Sequence, residues 1–182
     1  EAGKAGTGYT LSTLSGCLLE DVKAATNGPA WYQLYLLGGK EVALKTIARA
    51  KEAGFSAIVV TIDTPVSGLR ERDMRSGTQQ LLSMNPLEML PYIPQILVKP
   101  CWMTQWLGDG GLMSFPNVQL DDGPMGYTAI GPALEQSVVT WEDLEWIRKA
   151  WGGKIIVKGI HIGDDAKKAA ELGADAIVIS NH

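Results

Sequence analysis

The residues best suited to proton transfer are His182 and Asp63, each of which follows an apolar run of the chain. Asp63 comes directly after residues 57–62, and His182 comes shortly after residues 176–179. A lone histidine is usually structural, but a neighbouring carboxylate orients the imidazole and increases its basicity. If both runs are parallel strands, their carboxyl ends lie at one edge of a sheet. The pattern therefore predicts an Asp63–His182 pair that acts as a general base.

Further polar side chains lie at or near the ends of the other apolar runs. Lys158 follows residues 154–157, and the apolar residues before it favour a functional charge in a cavity over a solvated strand end. Ser12 and Thr61 have an alternative role as caps of helices or turns. The polar residues at predicted strand ends are Ser12, Gln33, Tyr35, Thr61, Asp63, Lys158, Ser180, Asn181 and His182. Their positions predict one shared cavity.

A dense run of charged residues, 68–75, supplies a candidate anion ligand. Such a run is typical of a solvated face. Arg70, however, follows Asp63 closely enough to reach the same cavity, and a guanidinium binds a carboxylate through two parallel hydrogen bonds. Both interpretations, a solvated face and a carboxylate-binding arginine, are compatible with the sequence.

Motifs for several other chemistries are missing from the sequence. The glycine-rich segments 108–111 and 123–126 match neither the dinucleotide fingerprint nor a P-loop. The sequence also lacks the GxSxG and HExxH motifs. Cys17 and Cys101 stand far apart, and the chain has only two histidines. We therefore expect reduced thiols and no metal site.

The composition is that of an ordinary globular domain. Of the 182 residues, 46% are hydrophobic and 20% are charged, and the net charge is −4 at pH 7. A negative charge without a basic patch argues against nucleic acid as a partner. No run approaches the roughly 18 apolar residues that cross a bilayer, and the first residues do not resemble a signal peptide. These features predict a cytoplasmic location.

The elements that must position these residues alternate between strands and helices. Strands are predicted at residues 9–11, 31–36, 57–62, 154–157 and 176–179, and helices at 40–53, from Thr140 onward, and at 164–172. The clearest strands are continuously apolar, as expected when both faces of a parallel sheet are covered. The order predicts an α/β fold. Spacing alone leaves open a section of a (β/α)8 barrel or a small doubly wound sheet.

One long segment interrupts this alternation. Residues 66–137 carry seven of the nine prolines and show no clean periodicity, so they are predicted to form a loop excursion between two βα units. Its middle part, residues 81–107, is rich in large apolar side chains. Packing onto the parent domain is one interpretation of this part. Contact with a membrane or a partner is the other.

Several of these segments, taken together and in order, resemble a known family. They are Thr10-Leu11-Ser12, Trp31-Tyr32-Gln33-Leu34-Tyr35, Thr61-Ile62-Asp63-Thr64-Pro65, residues 68–75, Val157-Lys158-Gly159 and Ser180-Asn181-His182. The family is that of the FMN-dependent α-hydroxy acid oxidases and dehydrogenases, which includes glycolate oxidase, lactate oxidase and mandelate dehydrogenase. The resemblance implies that residues 1–182 are a truncated interior portion of an FMN-binding TIM barrel. That portion would hold about five parallel strands and the excursion at 66–137.

The resemblance also implies roles for individual residues in the oxidation of a small L-2-hydroxy acid to the 2-keto acid. His182 would be the base and Asp63 its partner, while Tyr35 and Arg70 would bind the substrate. The residues expected to contact FMN are Ser12, Gln33, Thr61 and Lys158, with Ser180 as a weaker addition. Either a hydride leaves C2 as the hydroxyl group loses its proton, or a carbanion forms first. Both routes use the same base, so the sequence leaves both open.

The implied partners are the hydroxy acid and an electron acceptor. Oxygen would make the enzyme an oxidase, whereas a quinone or cytochrome would make it a dehydrogenase. Residues 81–107 would then provide a peripheral membrane contact, and the full-length protein is expected to be a homo-oligomer. A second substrate arginine and the phosphate-binding region of the family lie outside this chain, so the isolated fragment is expected to be inactive. The alternatives are a non-catalytic binding module and another TIM-barrel enzyme that acts on phosphorylated substrates.

Overall fold

A computed structural model describes residues 1–64, 71–77, 80 and 85–182. The chain divides into two compact units. The first, here called the sheet unit, contains Glu1–Ser67, Ser114–Met125 and Ala129–His182. The second, here called the helical unit, contains Gly68–Met113 and Gly126–Thr128. Residues 66–137, which the sequence predicts to be one excursion, are thus divided between the two units.

The sheet unit is built on five parallel strands. In chain order they are β1 (Tyr9–Ser12), β2 (Ala30–Leu34), β3 (Ala57–Thr61), β6 (Lys154–Ile160) and β7 (Ala176–Ile179), and they lie side by side in that order. Two further strands, β4 (Ser114–Leu120) and β5 (Gly123–Gly126), form a separate hairpin. The prediction of an α/β fold with five parallel strands is therefore confirmed.

The helices of the sheet unit bury one face of the sheet. They are α1 (Leu19–Ala24), α2 (Gly39–Glu52), α8 (Trp141–Trp151) and α9 (Gly163–Glu171), whereas α7 (Ile130–Glu135) contributes no buried residue. Ile47 of α2 and Ile147 of α8 belong to one buried cluster with Ile58 and Val60 of β3. Because successive strand residues point to opposite faces, Val59 belongs to a smaller cluster. The second face of the sheet thus carries Ala57, Val59 and Ile156.

Helix ends follow the signals in the sequence. The backbone N–H and the hydroxyl of Thr140 both donate to Asp143 Oδ2, at 2.8 and 2.9 Å, so a Thr-x-x-Asp capping box begins α8 at the predicted residue. The helix ends at Gly152, whose φ of 71° lies in the left-handed region. Gly54, with a φ of 83°, follows the end of α2 in the same way. These ends fix the lengths of the connections that return the chain to the sheet.

The β4–β5 hairpin lies within residues 66–137 and is fastened to the sheet unit by a buried side chain. Asn117 is fully buried; its Oδ1 accepts from the backbone N–H of Leu19 at 2.9 Å, and its Nδ2 donates to the carbonyl of Cys17 at 2.9 Å. Its own carbonyl accepts from the Thr46 hydroxyl at 3.0 Å. One residue thus connects the hairpin to the start of α1 and to α2.

Replacing Asn117 by alanine is expected to lower the free energy of unfolding by about 2–4 kcal/mol, because the buried N–H of Leu19 and the partly buried carbonyl of Cys17 lose their hydrogen-bond partner. Urea unfolding of the complete protein measures this change. Gln119→Ala is the matched control, since Gln119 lies on the same strand but is exposed. We expect the control to change stability by less than about 0.5 kcal/mol. Equal effects of the two substitutions would contradict the role given to Asn117.

The helical unit contains short helices with many exposed apolar side chains. Its elements are α3 (Glu71–Ser76), α4 (Pro86–Met89), a 3₁₀ turn (Leu90–Tyr92), α5 (Ile93–Leu97) and α6 (Pro100–Gly108). Between residues 85 and 113, its most exposed apolar residues are Leu87, Leu90, Leu97, Val98, Trp102 and Leu107, which are 54–81% exposed. Trp102 and Trp106 stack with their ring centroids 6.0 Å apart. This exposed set falls within the apolar part predicted at residues 81–107.

Candidate active site

A chain of hydrogen bonds crosses the carboxyl ends of β1, β2 and β3. Ser12 Oγ donates to Gln33 Oε1 at 3.1 Å, and Gln33 Nε2 donates to Thr61 Oγ1 at 2.9 Å. Parallel pairing places Ser12 opposite Gln33 in the sheet, and Thr61 opposite Lys158. Gln33 and Thr61 are both buried. The structure thus brings together three polar residues that the sequence predicts at separate strand ends, with their amide and hydroxyl groups in fixed orientations.

Thr13 holds this part of the site in place, although it is not among the residues that the sequence predicts for the site. Its hydroxyl donates to the carbonyl of Gln33 at 2.6 Å and accepts from the backbone N–H of Tyr35 at 3.1 Å. Thr13 is buried, so both bonds are protected from water. Its position directly after Ser12 was the available signal, but threonine is also common in turns.

Asp63, Lys158 and His182 form a compact charged cluster. Asp63 Oδ1 lies 2.8 Å from His182 Nδ1, and Asp63 Oδ2 accepts from Lys158 Nζ at 3.1 Å. The Asp63 side chain is only 5% exposed, against 25% for Lys158 and 43% for His182. The structure therefore joins the predicted pair, and it adds the lysine as a second partner of the same carboxylate.

The proton on the His182 ring is assigned from these contacts. A carboxylate only accepts hydrogen bonds, so Nδ1 carries a proton and donates it to Asp63. Nε2 lies 3.3 Å from the Tyr35 hydroxyl, which donates to it. The backbone N–H of His182 donates to Ser180 Oγ at 2.9 Å. The lone pair of Nε2 therefore points toward Tyr35, and Ser180 stabilises the segment that carries the ring.

The electrostatic environment keeps Asp63 charged and Tyr35 neutral. Burial by itself raises the pKa of the Asp63 carboxyl, but hydrogen bonds from His182 and Lys158 and the charge of Lys158 outweigh it, so the pKa lies below its usual value. Burial and the negative charge of Asp63 raise the pKa of the Tyr35 hydroxyl. At neutral pH the site thus contains a carboxylate and a phenol that remains a hydrogen-bond donor.

The lowered pKa of Asp63 makes stability depend on pH. The ionised Asp63 contributes its full stabilisation above the ordinary aspartate pKa of about 3.9, and this is lost as pH falls through the lower pKa of the folded state. We expect the stability advantage of the wild type over Asp63→Asn to shrink as pH falls below about 4. Urea unfolding at a series of pH values measures it, with Asp121→Asn as an exposed control. A constant advantage would contradict the assignment.

A cleft of about 310 Å³ lies on the sheet face opposite the helices. Its lining residues are Thr10, Ser12, Trp31, Gln33, Val59, Lys158 and Val178. A larger cavity of about 460 Å³ is lined mainly by apolar side chains and glycines of the sheet unit, among them Leu36, Leu120 and Met125. The smaller cleft contains Ser12, Gln33 and Lys158 of the predicted site, so its chemistry makes it the candidate binding site.

One predicted residue cannot be placed beside the others. Arg70, expected to hold a carboxylate, lies outside the described residues, and its role stays a prediction. Within the described ranges, no group of three or more His, Cys, Asp or Glu side chains is arranged to hold a metal ion.

Solved structures define the class of fold. The chain matches the structure of a mandelate oxidase over 100% of its length, with 30% identity, a TM-score of 0.68 and 42% of that chain covered. It matches the "monotopic membrane protein (S)-mandelate dehydrogenase" with 28% identity and a TM-score of 0.78, covering 48% of that chain. The sheet is therefore a section of the (β/α)8 barrel of the hydroxy acid oxidases, and the doubly wound alternative is set aside.

Comparison of the sequence with known proteins identifies the family within this class of fold. Residues 1–182 match the model of the FMN-dependent dehydrogenase family, and the chain belongs to this family. It is 39% identical to an L-lactate dehydrogenase of Caulobacter sp., with 97% of the chain and 46% of the relative aligned. It is 38% identical to an L-lactate dehydrogenase of Acinetobacter baylyi, with 100% and 47% aligned. The chain thus spans about half the length of these relatives.

Proposed function

We propose that the protein to which this chain belongs oxidises a small L-2-hydroxy acid to the corresponding 2-keto acid, with FMN as the electron acceptor. The arrangement of His182 between Asp63 and Tyr35 carries this proposal, because it holds one imidazole nitrogen ready to take a proton. Relatives named L-lactate dehydrogenase and mandelate oxidase support the substrate class, since lactate and mandelate are both 2-hydroxy acids.

The residues of the cleft, together with Thr61 beside Gln33, fit FMN. The edge of the flavin ring system carries carbonyl and imide groups, and the amide of Gln33 and the hydroxyl of Thr61 have the donors and acceptors that pair with them. The Lys158 ammonium lines the same cleft and suits the negative charge of a reduced flavin. We therefore expect flavin contacts from Ser12, Gln33, Thr61 and Lys158, with a weaker one from Ser180.

The chain's own residues move the proton in the proposed reaction. His182 Nε2 takes the proton of the substrate's 2-hydroxyl group, and Asp63 stabilises the positive charge that the ring gains. Tyr35 donates a hydrogen bond to the substrate's hydroxyl or carboxylate oxygen, and Arg70 is expected to bind the carboxylate and orient C2. FMN, when bound, would accept the C2 hydrogen together with the two electrons that the substrate loses, as the C2–H bond breaks and the C=O bond forms. Lys158 stabilises the resulting negative charge.

An anaerobic spectrum of the complete protein tests this function. The purified protein should show an oxidised-flavin band, and one or more acids of a panel of 2-hydroxy acids should bleach it. A band that no acid bleaches would overturn the substrate class while leaving the cofactor. A colourless protein, even after FMN is supplied, would overturn the flavin function and favour a non-catalytic module or an enzyme of phosphorylated substrates.

We also propose a peripheral membrane contact through the apolar surface of the helical unit. Leu87, Leu97 and Val98 are 73–81% exposed, which is costly in water and favourable at a lipid surface. A related mandelate dehydrogenase is described as a monotopic membrane protein. Among the described residues, no helix is long and apolar enough to cross a bilayer. A membrane quinone as acceptor would suit such an enzyme, whereas oxygen would suit a soluble oxidase.

Replacing Leu97 and Val98 together by serine is expected to weaken vesicle binding at least about tenfold, because each apolar side chain contributes on the order of 1–2 kcal/mol on burial. Sedimentation with vesicles of phosphatidylethanolamine and phosphatidylglycerol measures the bound fraction. Ile162→Ser is the control, because Ile162 is 58% exposed but belongs to the sheet unit. Unchanged sedimentation of the double variant would contradict the membrane contact. Cytoplasmic location and a homo-oligomeric state stay predictions from the sequence.

A further inference from the structure

Gly159 occupies an irregular position in β6, next to the charged cluster. Its φ of +109° lies in a region that residues with a side chain rarely adopt. Pairing with β7 is also interrupted here, because Lys158 pairs with Val178 but Ile160 pairs with Ile179. Two steps along β6 thus correspond to one step along β7, so Gly159 is the extra residue of a β-bulge.

The missing side chain of Gly159 leaves room for Asp63. A Cβ atom built on Gly159 would lie 2.6 Å from Asp63 Cβ, 2.8 Å from its backbone nitrogen and 2.9 Å from its Cγ. All three distances are shorter than normal contacts, and one of them involves backbone. Asp63 therefore reaches Lys158 and His182 only because residue 159 has no Cβ.

The same bulge affects the strand that leads to His182. Without it, Ile160 would pair with Ser180 instead of Ile179, because the pairing of Lys158 with Val178 sets the register. The bulge shifts the residues that follow β7 by one position relative to β6. The backbone N–H of Ser180 then donates to the carbonyl of Ile160 at 3.4 Å. His182 follows two residues later. Gly159 thus influences both members of the Asp63–His182 pair.

We propose that Gly159 is a positioning residue for the base: its bulge and its lack of a side chain bring Asp63 within hydrogen-bond distance of His182 Nδ1. This inference rests on the proposed oxidation, since the base matters only if His182 takes the substrate proton. Gly159 acts through Asp63, not through contact with the substrate. Its replacement should therefore affect the rate more than substrate binding.

The test is Gly159→Ala in the complete, FMN-loaded protein. We expect kcat to fall about 10–100-fold, as for a displacement of a catalytic group by up to about 1 Å, while KM changes less than about threefold. In an Asp63→Asn background the same substitution should lower kcat by less than about threefold, because the group it displaces is already disabled. Additive losses in the double variant, or an unchanged kcat in the single variant, would overturn the proposal.

Gly123→Ala is the control that distinguishes the close approach of a Cβ to Asp63 from the backbone strain of a positive φ. Gly123 has a nearly equal φ of +113°, and a Cβ there meets no atom within 4 Å in the described part of the chain. We expect this control to keep the wild-type kcat. If Gly123→Ala lowers kcat as much as Gly159→Ala does, strain alone explains the loss and the proposal fails.

Two further outcomes are distinguished by the design. If no 2-hydroxy acid reduces the flavin of the wild type, the proposed function fails. The yields of folded variant protein, compared as described next, then test this inference. If Gly159→Ala does not fold, its yield is compared with that of Gly159→Ala combined with Asp63→Gly, which removes two of the three close contacts. A higher folded yield of the combined variant supports the contact with Asp63. An equal yield overturns it.

Discussion

Replacing His182 by glutamine is expected to reduce kcat by about 10²–10⁴-fold, the usual contribution of a positioned general base. Glutamine is similar in size and can still hydrogen-bond to Asp63, but it takes up no proton at neutral pH. The hydrogen bonds of Gln33 do not involve His182, so FMN should remain bound. Stopped-flow measurement of flavin reduction, together with the flavin absorbance of the purified variant, separates the rate from cofactor loss.

His161→Gln is the matched control for this experiment. His161 is the other histidine of the chain and lies exposed directly after β6, outside the cluster. We expect it to keep the wild-type rate of flavin reduction. A wild-type rate for His182→Gln would contradict the assignment of the base. It would favour a protein that binds the acid without converting it.

Replacing Lys158 by methionine is expected to slow flavin reduction by about 10²–10³-fold, as for the loss of one fixed charge that stabilises a developing negative charge. Methionine keeps much of the apolar stem and removes the cation. Asp63 then keeps His182 as its partner, at 2.8 Å from Nδ1. The reduction potential of the bound flavin should fall as well, because the reduced form loses its nearby positive charge.

Lys154→Met controls for the general effect of removing a lysine from β6. Lys154 begins the same strand and is exposed at the end away from the site. We expect this variant to have the wild-type rate and flavin potential. If Lys158→Met also leaves the potential unchanged, the cation does not act on the flavin. Its role would then be limited to the ion pair with Asp63.

The strands and the polar cluster were largely predictable from the sequence. Continuous apolar runs located three of the parallel strands, β3, β6 and β7, because a strand buried on both faces has little room for polar residues, whereas β1 and β2 were weaker predictions. Parallel strands also bring their carboxyl ends to one edge, so the sequence predicts that Gln33, Thr61, Lys158 and His182 lie close together. The Asp63–His182 contact follows from that same geometry.

Other features depended on contacts that a local pattern does not contain. The β4–β5 hairpin includes Pro116 and Pro124, and proline within a run weakens a strand prediction. Tertiary hydrogen bonds of Asn117, to residues about 100 positions away, stabilise the hairpin instead. Gly159 is visible in the sequence as a glycine within a strand, but its neighbour Asp63 is not. The double role of Asp63, as partner of both His182 and Lys158, likewise appeared only in three dimensions.

The long connection between β3 and β6 also orders the assembly of the site during folding. Trp31 pairs with Ala57, 26 residues away, whereas Ala57 pairs with Lys154, 97 residues away. Chain-closure entropy grows slowly with length, so this nearly fourfold longer separation costs only about 1.2 kcal/mol more. Strands β1 to β3 can therefore pair first and set Ser12, Gln33 and Thr61. Lys158 and His182 are then expected to meet Asp63 later, so the flavin contacts expected from β1 to β3 form before the proton-transfer group and before the contact from Lys158.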